Sequence, residues 1–105
     1  MTLLDVLFDD AKLEKLCTDE REMRRKREDV AKKLKLRINA LRTAECIGDL
    51  PTIDPLGNWH SLTGDLDGLW AGKLSANFRL LIRPEDAEDP KTAVTVTVIK
   101  IDDYH

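Results

Sequence analysis

Apolar residues return along this chain at two different intervals, and the change from one to the other marks out its elements. Leu4, Val6 and Phe8 alternate with Leu3, Asp5 and Leu7 over a segment short enough for an opening strand, with Leu3 and Leu7 blurring the period of two. Between Ala11 and Cys17, Leu13 and Leu16 stand three apart, which fits a first helix, and Thr18-Asp19 then offers an N-cap for a second, much longer one. In that second helix Val30, Leu34, Ile38, Leu41 and Ala44 follow at spacings of four, four, three and three, a single stripe on a 3.6-residue repeat, and Gly48 is a natural stop. Asp19 with Glu22 three residues on has the form of a capping box. Acids at this end with Lys and Arg further along suit the helix dipole.

The period then shortens. Residues 49–58, with Pro51, Pro55 and Gly57, read as a loop leading to a short strand at Trp59-His60-Ser61-Leu62. Leu69 to Leu74 and Phe78 to Arg83 flank Ser75-Ala76-Asn77 and describe a hairpin, in which Phe78, Leu80 and Ile82 alternate with Arg79, Leu81 and Arg83. An acidic turn from Pro84 to Lys91 precedes Thr92 to Ile101, a strand rich in β-branched residues with Val94, Val96 and Val98 on one face. The order β-α-α-β-β-β-β predicts an α+β fold: two N-terminal helices packed on one face of a twisted antiparallel sheet of about four to five strands. The other face is left for chemistry.

Composition narrows the class. A chain of 105 residues fits one domain spanning 1–105. No apolar run approaches the ~20 residues of a membrane span, and the N-terminus shows no secretory pattern, so a cytoplasmic protein with no membrane partner is expected. Cys17 and Cys46 have neither the number nor the spacing of a disulfide scaffold or structural zinc site, and read as small apolar packers. The net charge of −3 is unevenly spread: between Asp19 and Arg42 ten basic residues stand against five acids. This asymmetry permits nucleic-acid contact by one face and argues against uniform electrostatic binding. The run Arg24 to Arg27 reads first as a solvated helix face steadied by Glu20 and Glu28, and second as a phosphate contact to a nucleic acid.

Candidate chemistry gathers in three places: Trp59 to Asp65, the hairpin with Lys73 and Arg79 six residues apart across a turn, and Asp102-Asp103-Tyr104-His105. Pairing of the two hairpin strands brings both cations near one phosphate. His60, His105 and Asp103 are also a conceivable zinc set, which no His-x-x-x-His or Cys pair accompanies. Trp70 and Phe78 read as core or interface groups, and Arg83 as a solvated partner for local acids.

Over residues 30–105 the chain resembles the HigB branch of the RelE-like toxins, the toxin halves of bacterial toxin–antitoxin pairs. The matching pieces are Leu41-Arg42-Thr43-Ala44 at the end of the long helix, His60-Ser61-Leu62-Thr63-Gly64-Asp65, Gly68-Leu69-Trp70, Asn77-Phe78-Arg79 and the terminal Asp103-Tyr104-His105. Thr63 stands where the family often has lysine, and Lys73 where arginine is common. The resemblance implies a ribosome-dependent endoribonuclease without a cofactor or metal. It would cleave A-site mRNA by attack of a 2′-hydroxyl on the neighbouring phosphate, and a co-encoded antitoxin would neutralise it and provide any contact with DNA. It implies that His60 and His105 move protons, Lys73 and Arg79 hold the phosphate, Asp103 orients an imidazole and Tyr104 stacks on a base or donates a hydrogen bond. The alternative is a binding module of the same fold, weakened at Thr63 and Lys73, that keeps antitoxin or ribosome binding without cutting.

Overall fold

The structure, a computed structural model, describes residues 3–85 and 89–103. Strand β1 (Asp5–Phe8) leads into α1 (Ala11–Thr18), which begins where the Asp10 carboxylate accepts the Leu13 amide at 2.7 Å. Helix α2 (Glu20–Arg27) starts at Asp19, whose carboxylate accepts from the amides of Arg21 and Glu22 at 2.9 and 3.4 Å. Only half of the capping box forms. The Asp19 amide donates to the Lys15 carbonyl and closes α1, while Glu22 pairs with Arg25 at 2.6 Å and Lys26 at 3.3 Å. The hydrogen bond from Arg25 holds the Glu22 carboxyl below the usual carboxylate range.

The single long helix expected after Asp19 is in fact two, because Glu28, Asp29 and Val30 turn the chain before α3 (Ala31–Thr43). A continuous helix from residue 20 to residue 43 would run about 36 Å, the full 37 Å of the molecule's longest extent. Its first turns would stand away from the core with Met23 in water. Breaking at Glu28, Asp29 and Val30 folds α2 back and buries Met23 in the same core as Leu34, Ile38 and Leu41. Residues 49–58, expected as a loop, contain the one-turn α4 (Leu50–Ile53) and a 3-10 turn at Pro55–Gly57.

The sheet is built from β2 (His60–Ser61), β3 (Trp70–Lys73), β4 (Phe78–Pro84) and β5 (Thr95–Asp103) together with β1, in the order β1-β5-β4-β3-β2. The α+β class is as expected, with the sheet mixed rather than antiparallel throughout: β1 runs parallel to β5, placing Val6 beside Val96 and Phe8 beside Val98. A parallel neighbour needs a crossover connection, and the helices between β1 and β2 are part of it. Leu80, Ile82, Val96 and Val98 on the covered face pack with Leu34, Leu41, Ile47 and Leu50 in one core. Val94, expected on one strand face with the buried Val96 and Val98, precedes β5 and is 42% exposed. A bulge at Ile99 shifts the register, so that Leu81 faces Lys100 while Ile82 faces Val98. Among the described residues no helix is long and apolar enough to cross a membrane.

Cys17 is buried in this core, and burial pushes its thiol up to about 12, with Arg42 opposing. Iodoacetamide near neutral pH is therefore expected to label the half-buried Cys46 and to spare Cys17 until the protein unfolds, as read by peptide mass spectrometry. The raised folded-state value also sets a sign. Its contribution to stability is complete below about pH 9, the ordinary thiol range, and is lost as pH climbs towards 12.

Candidate active site on the open face of the sheet

Residues directly opposite one another on antiparallel strands share a face. His60 lies opposite Ala71, Ala71 opposite Leu81, Lys73 opposite Arg79, and Arg79 opposite Asp102, so all six stand on the face away from the helices. Asn58, His60, Ala71, Lys73 and Arg79 line a cavity of about 70 Å³ there. Ala71, only 1% exposed, is among its lining residues, and its small side chain leaves the space between the imidazole and the two cations open.

The backbone before β2 determines the state of His60. Asn58 takes the left-handed conformation at φ 46°, one that asparagine tolerates better than most residues, and ends the 3-10 turn at Pro55–Gly57. Its carbonyl oxygen lies 2.7 Å from His60 Nδ1. A carbonyl only accepts, so the neutral imidazole carries its proton on Nδ1 and keeps its lone pair on Nε2. Arg79 is held by its Nε donating to Asp102 at 3.0 Å, and Lys100 approaches the same carboxylate at 3.6 Å. Asp102 thus ties the guanidinium to β5.

Behind the cavity is a polar network that the hydrophobic pattern alone does not single out. Arg37 on α3 is 2% exposed. Its Nε donates to the Lys73 carbonyl at 2.6 Å, its Nη1 to both Asp54 oxygens at 3.1 and 3.3 Å, and its Nη2 to the Leu56 carbonyl at 3.1 Å. Asp54 also accepts from the Trp59 indole N–H at 2.9 Å. The Trp59 ring lies flat against β3: a Cβ on Gly72 would come within 2.6 Å of it, and one on Gly57 within 2.5 Å of its nitrogen. Gly72→Ala is expected to cost about 1–3 kcal/mol by overpacking, read as a lower urea midpoint at constant slope. The signal for Arg37 was present in the sequence: it lies three residues after Leu34 and seven after Val30, within the apolar stripe, where a solvated arginine does not belong.

The terminal residues divide differently. Asp102, the less prominent of the two carboxylates in the sequence, touches Arg79. Asp103, expected to orient an imidazole, is in register with Phe78, one position off the face that carries Arg79. Tyr104 and His105 lie outside the described residues. Phe78 packs against the core with the Arg27 guanidinium 4.6 Å above its ring, and Trp70 is buried. Arg83 pairs with Glu85 at 2.9 Å, and Thr63 is exposed at the start of the 3-10 turn Gly64–Leu66. Among the described residues no three potential metal ligands come together.

No family model matches this chain, and no curated protein is similar to it. Solved structures are. A YoeB/ParE toxin from Agrobacterium tumefaciens matches with a TM-score of 0.58 at 15% identity, covering 97% of this chain and 100% of that one. The YoeB-YefM complex from Staphylococcus aureus matches with a TM-score of 0.57 at 16% identity, over 97% of each chain. YafQ from E. coli matches with a TM-score of 0.58 at 13% identity, covering 95% of this chain and 92% of that one. At such identities the likeness is one of fold, and it spans nearly the whole chain.

Proposed function

We propose that this protein is the toxin of a bacterial toxin–antitoxin pair, a cytoplasmic, ribosome-dependent endoribonuclease that cuts mRNA in the A site. The observation that carries the reading is the convergence of His60, Lys73 and Arg79 around one small cavity. The toxin folds of the structural neighbours, one of them solved as the YoeB-YefM complex, support the same reading and a protein antitoxin as partner.

The chemistry follows from the side chains. An RNA 2′-hydroxyl hands its proton to His60 Nε2, the basic nitrogen left by the Asn58 hydrogen bond, as its oxygen attacks the adjacent phosphorus. Arg79 and Lys73 face the charge that builds on the phosphoryl oxygens. The bond to the 5′-oxygen breaks, leaving a 2′,3′-cyclic phosphate upstream and a 5′-hydroxyl downstream once that oxygen takes up a proton. Following the HigB-like motif, His105 supplies this proton, Tyr104 stacks on a base or donates a hydrogen bond, and Asp103 orients an imidazole. Asp102 holds Arg79 in place.

The test adds the purified chain, stripped of transition metals, to programmed ribosomes and maps mRNA ends. Cuts inside the A-site codon with cyclic-phosphate ends are expected. Intact mRNA with a folded, ribosome-bound chain would overturn the nuclease reading in favour of a binding module. Thr63→Lys is a second arm: added to the exposed turn that follows β2, a cation is expected to raise cleavage if the phosphate site is short of positive charge.

A further inference from the structure

We propose that Arg37, Asp54 and Trp59 form a positioning device that holds His60 and Lys73 at their working separation; the functional part of this claim rests on the nuclease reading. The need for such a device comes from β2. It is a two-residue edge strand joined to β3 by only two register pairs, His60 with Ala71 and Ser61 with Trp70, and both of its residues are exposed. Pairing of that extent does not hold a side chain to a fraction of an ångström, the precision a proton transfer needs.

The network grips the chain next to both functional residues. Trp59 immediately precedes His60 and is pinned at its nitrogen by Asp54 and along its ring by Gly72. Gly72 immediately precedes Lys73, whose own carbonyl accepts from Arg37 Nε. The Arg37 fork bonds to Asp54 on one side and to the Lys73 carbonyl on the other, so one planar, rigid group sets the distance between the two walls of the cavity. Leu56 is held by the same guanidinium, which fixes the entry to the Asn58 turn and with it the carbonyl that selects the His60 tautomer. Among the described residues Arg37 is the only charged side chain that is buried, and its bonds to Asp54, Leu56 and Lys73 reach across to other segments rather than along its own helix.

Two variants test this. Trp59→Phe keeps the ring on Gly72 and deletes the indole donor, and Arg37→Lys keeps the charge but loses the fork. Both are expected to stay folded by circular dichroism and to lower kcat for programmed ribosomes by about 10–100-fold with KM changed less than twofold, since ribosome binding does not depend on the His60–Lys73 distance. Amide exchange gives a readout independent of cleavage. The Leu62 amide, which donates to Leu69 at 2.9 Å beside the β2–β3 pair, is expected to exchange at least tenfold faster in the variants, while the Asp9 amide on Val98 at 3.0 Å keeps its rate. If Arg37→Lys unfolds, Trp59→Phe decides alone, because it leaves the buried ion pair intact. Wild-type kcat in a folded variant, a change in KM alone, or equal acceleration at Leu62 and Asp9 would overturn the positioning role. A wild-type chain that does not cut overturns the nuclease reading instead, and the exchange rates still decide whether the network holds β2 on β3.

Discussion

Replacing His60 with alanine is expected to slow A-site cleavage by roughly 10²–10⁴-fold, the contribution of a positioned general base. Ribosome binding should survive the change, because the imidazole is one exposed side chain on an edge strand. His60→Asn separates two roles that alanine conflates. Its amide nitrogen takes the place of His60 Nδ1, which meets the Asn58 carbonyl at 2.7 Å, but it has no nitrogen lone pair to take a proton. Equal losses in the two variants, with partial recovery of the alanine variant by added imidazole, are the expected outcome. An asparagine variant near wild-type rate would show that the ring only braces the Asn58 turn, and the base would then have to come from elsewhere. Single-turnover cleavage at saturating protein measures this without interference from product release.

The largest expected loss of stability is Arg37→Ala, at about 3–5 kcal/mol, a large share of the roughly 5–15 kcal/mol available to a domain of this kind. The reason is what remains behind. Asp54, whose side chain is 13% exposed, would keep its charge with only the Trp59 indole as a partner, and the Lys73 and Leu56 carbonyls would lose their donors. Arg37→Met with Asp54→Leu is expected to cost less than half as much, since it removes both charges and fills the space with apolar groups of similar length. Urea unfolding of the wild type, the single and the double variant measures the contrast directly. Equal losses would mean that the two backbone carbonyls, rather than the stranded carboxylate, account for the effect. A double variant that is stable and poor at cleavage is also what the positioning role of the network requires.

These two residues show what was legible in the chain and what was not. The place of His60 was legible because its motif is local: a histidine on a short strand before a turn. Arg37 was legible only through its phase. A count of charges places it in the basic stretch between Asp19 and Arg42, and only its phase against Val30 and Leu34 separates it from Lys33 and Lys35 beside it. The terminal carboxylates make the same point. Asp102 and Asp103 are neighbours of identical chemistry, and the pairing of β5 with β4 alone decides that Asp102 meets Arg79 while Asp103 falls opposite Phe78. A shift of one residue would exchange them, since side chains alternate along a strand.

Elements and the faces they bury were written locally in the chain, because helical and strand periods are properties of neighbouring residues and of water. Such periods predicted α1, the stripe of α3, the hairpin β3–β4 and the β-branched β5, and they put Lys73 and Arg79 across one turn. Long-range packing supplied what was missing. The bend between α2 and α3, the parallel pairing of β1 with β5, the bulge at Ile99 and the burial of Arg37 all depend on contacts between segments far apart in the chain. Local periodicity carries no information on strand direction, register or the partner of a buried charge. Those are chosen by whichever global arrangement leaves the least apolar surface in water and the fewest polar groups unpaired.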